Sequence, residues 1–146
     1  MASAHKRPES VLVLVYTVAG EVLVLERVWP AGLWQSVTGS LEWGELPPAA
    51  ARRELAEETG LTGIEPIDCR RMNRFPILPA WRARYAPGVR ENLEHVFRVE
   101  LAHRRPVTLN PKEHTRSRWM ERDAAARLVF SWTNREAIWA WVPPPP

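Results

Sequence analysis

Cysteine is nearly absent. Cys69 stands alone among 146 residues, so no intrachain disulfide can form and the fold must be held by its core. A reducing compartment is compatible with that usage, and a cytoplasmic location is expected. The lone thiol itself reads as a small buried hydrophobe. Also missing is any run near the ~18 apolar residues that cross a bilayer. Met1 to Ser10 is polar around Pro8, without the apolar stretch of a secretory signal, so no membrane partner is expected. No repeat or compositional break divides the chain, whose length suits a single domain over 1–142 burying about two-thirds of its unfolded surface. The proline run 143–146 is expected to be a disordered tail. Charge imbalance is small, with 20 basic against 17 acidic residues and a net +3. Many of the acids crowd into one segment, which leaves the remainder basic and favours an anionic ligand. Tryptophan, by contrast, is plentiful at eight, most of them expected in the core and some in a ring-stacking site.

The acid-rich segment runs from Gly39 to Leu61. A glycine-bearing loop feeds a helix that has Pro47 and Pro48 in its first turn, where a missing N–H is harmless, and Gly60 as its stop. Glu54, Glu57 and Glu58 stand at i, i+3 and i+4, so the three carboxylates emerge on one helix face. Clustered carboxylates repel, and oxygen-only donors suit a hard divalent ion such as Mg²⁺, which is commonly bound through carboxylates, water and substrate phosphates. A solvated acidic face tied by Arg52 and Arg53 is the other reading of the triplet alone.

The full spacing decides between them. Glycine, five residues, glutamate, seven residues, Arg-Glu, an apolar residue, any residue, Glu-Glu, any residue, glycine and an apolar residue resembles the signature of the Nudix hydrolases. Gly39, Glu45, Arg53, Glu54, Leu55, Glu57, Glu58, Gly60 and Leu61 fill every fixed position. The resemblance implies an α/β/α sandwich with a mixed β-sheet and a loop-helix-loop catalytic box. It also implies Mg²⁺-dependent hydrolysis of a diphosphate linkage, with Mn²⁺ able to substitute, and Glu54, Glu57 and Glu58 as metal ligands. By the same resemblance Arg53 orients the carboxylates, and Glu45 braces the loop or joins the metal site through water. The family often adds one acid from outside the box. Glu113, in a turn before a strand, is the candidate for metal ligand or general base, and His114 a weaker one.

The flanks resemble the branch of the family that acts on dihydroneopterin triphosphate, from Lys6-Arg7-Pro8 through Leu33 to Ser40, Ile67-Asp68-Cys69 and Arg84 to Val89, to Ser131-Trp132-Thr133-Asn134-Arg135. That implies a substrate site lined by Lys6, Arg27, Thr38, Phe75, Pro76, Ile77, Leu78 and Asn134. A nucleoside triphosphate such as dATP is the alternative substrate, and a nucleotide- or nucleic-acid-binding module the alternative outside enzymes. The expected partner is a small triphosphate, with no nucleic acid, acting on a monomer or weak dimer.

Along the chain, Val11 to Val18 and Val22 to Leu25 read as a hairpin, Leu33 to Thr38 as the strand entering the box, and Ile64 to Arg70 as a further strand. From Arg70 to Arg90 six arginines interleave with Phe75, Trp81 and Tyr85 in a long irregular region. Cations among rings suit a ligand with phosphates and an aromatic base, and also suit RNA or a plain solvated loop. Glu94 to Leu101, Pro106 to Leu109 and Ser117 to Met120 read as strands. Asp123 is expected to cap a helix through Leu128. Thr133-Asn134-Arg135-Glu136 reads as a capping box for a last helix that packs Ile138, Trp139 and Val142 inward.

Overall fold

The computed structural model describes residues 4–146. Its centre is β1 (Glu9–Thr17), whose odd and even residues serve opposite faces, as a strand's period of two demands. Val11, Val13 and Val15 pack with Ala50, Ala51 and Leu55, while Leu12, Leu14 and Tyr16 pack with Ala125, Ala126 and Ile138. Both faces are therefore covered, which is why the strand is almost wholly apolar. Leu55→Ala on the first face removes contacts worth about 2–5 kcal/mol.

β1 turns at Gly20 into β2 (Glu21–Arg27), then follow β3 (Trp34–Gln35) and β4 (Val37–Ser40), α1 (Pro47–Thr59), β5 (Ile67–Pro76), a 3₁₀ turn at Pro79–Arg84, β6 (Glu91–Leu101), β7 (His114–Glu121), α2 (Arg122–Leu128) and α3 (Trp132–Trp141). The seven strands form one mixed sheet. β6 runs parallel to β1, with Ser10 opposite Glu94. The other edge of β1 is divided: β2 takes Tyr16, and β4 takes Ser10 to Val13 antiparallel. This division brings Thr38 and Gly39 alongside the start of β1, and with them the entry to α1. β7 closes one side on β2, and β5 the other on β6. Helix α1 covers one face and α2 with α3 the other, giving the expected sandwich.

Several local expectations give way. The 70–90 region is not one irregular loop: β5 continues to Pro76, with a bulge between Asp68 and Arg71 where Arg70 takes a φ of 54° and donates its N–H to Asp68 Oδ1 at 2.7 Å. Pro106 to Leu109 forms no strand. It crosses α1 as coil, with Val107 and Leu109 against the core and Thr108 N–H donating to the Thr59 carbonyl. Glu121, not Asp123, caps α2 by accepting from the N–H groups of Asp123 and Ala124, because β7 runs up to that residue. α3 begins two residues earlier than a Thr133 capping box would allow, after Ser131, whose hydroxyl pairs with that of Thr133. Ile138 and Val142 are buried as expected, but Trp139 is exposed. Of the eight tryptophans only Trp34 is buried in the core. The run 143–146 has neither helix nor strand, and its first carbonyl lies against the Gly20 turn. Among the described residues no helix is long and apolar enough to cross a membrane.

Candidate active site

Helix α1 starts on Pro47 and Pro48 and stops at Gly60, which adopts a left-handed φ of 76° and donates to the Ala56 carbonyl. Ala50, Ala51 and Leu55 fix its buried face, and this rotation decides what happens to the acids. Glu54 and Glu58 turn toward the sheet and are buried, while Glu57 stays exposed. The floor they meet is Gly39. Its backbone conformation would suit any residue, but a Cβ there would overlap the Glu54 carboxyl group.

Arg53 organises the loop side. Its Nε and Nη2 form a bidentate pair with Glu45 at 2.8 and 2.7 Å, Nη1 donates to Glu54 Oε1 at 2.7 Å and to Glu57 Oε2 at 3.3 Å, and Nη2 also reaches the Ser40 carbonyl. The Glu45 pairing holds the guanidinium charged, above its ordinary range. Glu45 in turn accepts from the Glu42 N–H, so it does brace the loop. Arg7 adds a strap that sequence reading missed, donating to the carbonyls of Glu42 and Glu45.

Glu58 is 1% exposed, and its Oε1 lies 3.5 Å from the Thr38 N–H. Burial, then neighbouring Glu54 and Glu113, push its carboxyl well up. Burial also raises Glu54, against the pull of its hydrogen bonds to Glu58 and Arg53. Burial thus disfavours the charged forms of both carboxyls, and the proximity of Glu54 adds to this at Glu58. Crowded oxygen donors of this kind are a set that a divalent cation would suit. Ligand atoms of Glu58, Glu113 and His114 also lie within 4.8 Å of one another.

His114, the weaker of the two candidates, is the first residue of β7, 3% exposed, with Nε2 at 3.3 Å from the Gln35 amide nitrogen and 3.8 Å from Glu58 Oε1. Burial and then Arg27 lower its pKa to about 4, so the ring is neutral at pH 7.

Two cavities meet over this floor. The larger, about 1020 Å³, is lined by Arg53, Glu54, Glu57, Glu113 and His114. The smaller, about 420 Å³, contains Phe75, Pro76, Ile77 and Leu78 together with Trp81, Phe130 and Asn134. Lys6, Arg27, Thr38 and Arg84 belong to both. Burial, then Arg84 and Arg27, lower the Lys6 pKa to about 8. Arg27 stacks on Trp81, 5.2 Å from the ring centre, and donates to Gln35 Oε1. Every sequence-proposed substrate residue thus lines the smaller cavity, but two use their polar atoms internally. Thr38 donates its hydroxyl to the Val11 carbonyl at 2.9 Å. Asn134 accepts from the Ser36 N–H at 2.8 Å and donates to its hydroxyl at 2.9 Å.

Of the arginines between 70 and 90 only Arg84 lines either cavity. Arg71 lies over Trp141, and Arg70 and Arg74 are exposed on β5. Sequence reading also passed over Gln35, Ser10, Asn92 and Glu94, which share the site through strand register. Four tryptophans line the cavities: Trp81 and Trp132 the smaller, Trp29 and Trp43 the larger.

Comparison with known proteins agrees with this geometry. The NUDIX domain model matches residues 6–141. Dihydroneopterin triphosphate diphosphatase of Escherichia coli K12 is 43% identical over 139 residues, covering 92% of this chain and 91% of that one. The protein of the same name from Haemophilus influenzae is 37% identical, covering 92% of this chain and 87% of its own. The solved structure of the E. coli dihydroneopterin triphosphate pyrophosphohydrolase superposes with a TM-score of 0.89 at 42% identity, covering 96% of this chain and 98% of that one. With the signature complete on α1 and the domain match spanning nearly all of the chain, this protein belongs to the Nudix hydrolase family.

Proposed function

We propose that this protein hydrolyses dihydroneopterin triphosphate to dihydroneopterin monophosphate and pyrophosphate, a step of folate biosynthesis, with Mg²⁺ as its cation and Mn²⁺ able to substitute. The observation that carries this reading is the cationic wall of Lys6, Arg27 and Arg84 between a carboxylate-lined cavity and a ring-lined one. A bicyclic ring bearing a triphosphate needs those three environments in that order. The two relatives of that name support the choice of ring.

Glu54, Glu57, Glu58 and Glu113 would hold the cation, which supplies charge neutralisation on the phosphate oxygens. The protein's own contribution is positioning. Arg53 keeps Glu45 and Glu54 in register, and Lys6, Arg27 and Arg84 neutralise the phosphates nearest the ring. In place of ligating the cation, Glu113 can take the proton of the attacking water at a carboxylate oxygen. Water attacks the α-phosphorus, and the bond to the bridging oxygen breaks to release pyrophosphate. The partner is a free small molecule, held in the two cavities rather than by Arg70, Arg71 and Arg74, which stand outside them. The enzyme acts as a monomer or weak dimer.

The test is kcat/KM with Mg²⁺ across pterin and nucleoside triphosphates, run also in ¹⁸O-labelled water. Preference for the pterin, with label in the monophosphate, is expected. Preference for dATP would turn the reading to a nucleoside triphosphate pyrophosphatase, whose purine fits the same apolar walls. Orthophosphate as first product, or label in pyrophosphate, would refute attack at the α-phosphorus.

A further inference from the structure

Besides the cations Lys6, Arg27 and Arg84 that it shares with the larger cavity, the smaller cavity has a second polar patch, contributed by β1 and β6. On β6, Asn92 and Glu94 share a face with Val96 of the core, and on β1 Ser10 lies opposite Glu94. Period-two alternation therefore carries a buried face of the sheet straight into the cavity, where its residues turn from apolar to polar.

Glu94 is 4% exposed, and among the described residues no cation lies within ion-pair distance of it. A buried carboxylate in such surroundings is costly unless hydrogen-bonded. Its neighbours are neutral: Asn73 donates its amide to Oε1 at 3.3 Å, and the Thr133 side chain supplies a second hydrogen bond. Burial pushes the carboxyl up, and these two bonds bring it back only in part. Beside it Asn92, 5% exposed, donates Nδ2 to Ser10 Oγ at 2.7 Å. Asn92 Oδ1 and Trp81 Nε1 are both buried without a hydrogen-bond partner among the described residues. A carboxylate, an unpartnered amide oxygen and an indole donor thus line the cavity alongside its rings and the cations Lys6, Arg27 and Arg84.

We infer that Glu94 is the specificity-determining residue of the ring cavity, accepting two hydrogen bonds from the amino-pyrimidinone edge of the substrate. Such an edge carries a ring N–H and an exocyclic amine side by side, the donor pair that matches a carboxylate as a guanidinium does. Its neighbouring carbonyl can accept from Trp81 Nε1. Dihydropterins and guanine have this edge. Adenine offers one amine beside a ring nitrogen that is itself an acceptor, so a lone pair would face the carboxylate unpaired. The inference rests on the smaller cavity holding the ring, and it extends the proposed activity by naming what selects that ring.

The test reads binding apart from turnover. Dissociation constants for dihydroneopterin triphosphate, dGTP, dITP and dATP are measured by calorimetry with Ca²⁺ in place of Mg²⁺. Inosine lacks only the exocyclic amine of guanine, so the wild-type protein should bind dGTP roughly tenfold to 100-fold more tightly than dITP, the value of one hydrogen bond to a charged acceptor. Glu94→Gln should weaken dihydroneopterin triphosphate and dGTP by a similar factor and leave dATP bound as tightly or more so, since the amide can donate to the adenine ring nitrogen. Should the variant fold poorly, the wild-type dGTP to dITP ratio decides the question alone. Equal binding of those two, including no binding of either, overturns the inference, as does an equal loss for dATP in the variant. A strong dGTP preference without turnover of the pterin would uphold Glu94's role while refuting the proposed substrate.

Discussion

Gly39→Ala is the sharpest perturbation available, because its effect passes through one side chain. The added Cβ would overlap the Glu54 carboxyl group, and nothing else in its surroundings comes as close. The backbone at this position needs no left-handed conformation, so the penalty is spatial rather than conformational. Relief comes when Glu54 swings away from its 2.7 Å contact with Arg53 Nη1. Overpacking of this kind costs about 1–3 kcal/mol, which lowers the population of the original Glu54 position by roughly 5- to 150-fold. The expected result is a fall in kcat within that range, with tighter dependence on Mg²⁺ concentration and little loss of thermal stability, since a flexible carboxyl end absorbs the clash. A double-mutant cycle isolates the route. If Glu54 is the only group displaced, Gly39→Ala added to Glu54→Gln should change kcat far less than it does alone. Fully additive losses would refute the argument, as would wild-type kcat at limiting Mg²⁺.

Three further outcomes are expected. Glu58→Gln removes a buried, crowded carboxyl, so the metal-free protein should keep or gain thermal stability while kcat falls by about 10²-fold; Mg²⁺ should then raise the melting temperature of the wild type more than that of the variant. Lys6 titrates near 8, carrying its charge below that pH and losing it above, so kcat/KM for a triphosphate should fall on the alkaline side of about 8, and Lys6→Arg should move that limb upward. Asn134→Ala leaves the buried Ser36 N–H without its acceptor, which should cost about 1–3 kcal/mol in denaturant unfolding; a variant as stable as wild type, with altered substrate preference, would return Asn134 to direct recognition.

The catalytic box was legible because its logic is local. Glu54, Glu57 and Glu58 are placed by helical spacing, and Gly60 by the stop it makes. What escaped is what sheet pairing brings together. Glu94 meets Ser10 only through the parallel register of β1 and β6, and no spacing along the chain announces that. β5 looked irregular beyond Arg70 because it is an edge strand, exposed along most of its length, so it carries no apolar alternation. The tryptophans were misplaced for a related reason: rings that line an open cavity have the same composition as rings that fill a core. His114 lay in an apparent turn that the ladder with β2 converts into the first residue of a strand.

The two cavities draw on different parts of the chain. The carboxylate-lined one takes its box acids and Arg53 from the loop and helix between Gly39 and Glu57, with Glu113 and His114 added from beyond, whereas the ring-lined one takes Phe75 to Leu78, Asn92, Glu94, Phe130 to Trp132 and Asn134 from elements far along the sequence. They meet at seven shared residues, three of them the cations Lys6, Arg27 and Arg84. In evolutionary terms the reaction and the choice of reactant are separately heritable. Substitutions can accumulate in the far strands and in the start of α3, retuning which ring is admitted, while the hydrolytic apparatus passes unchanged from one descendant to the next.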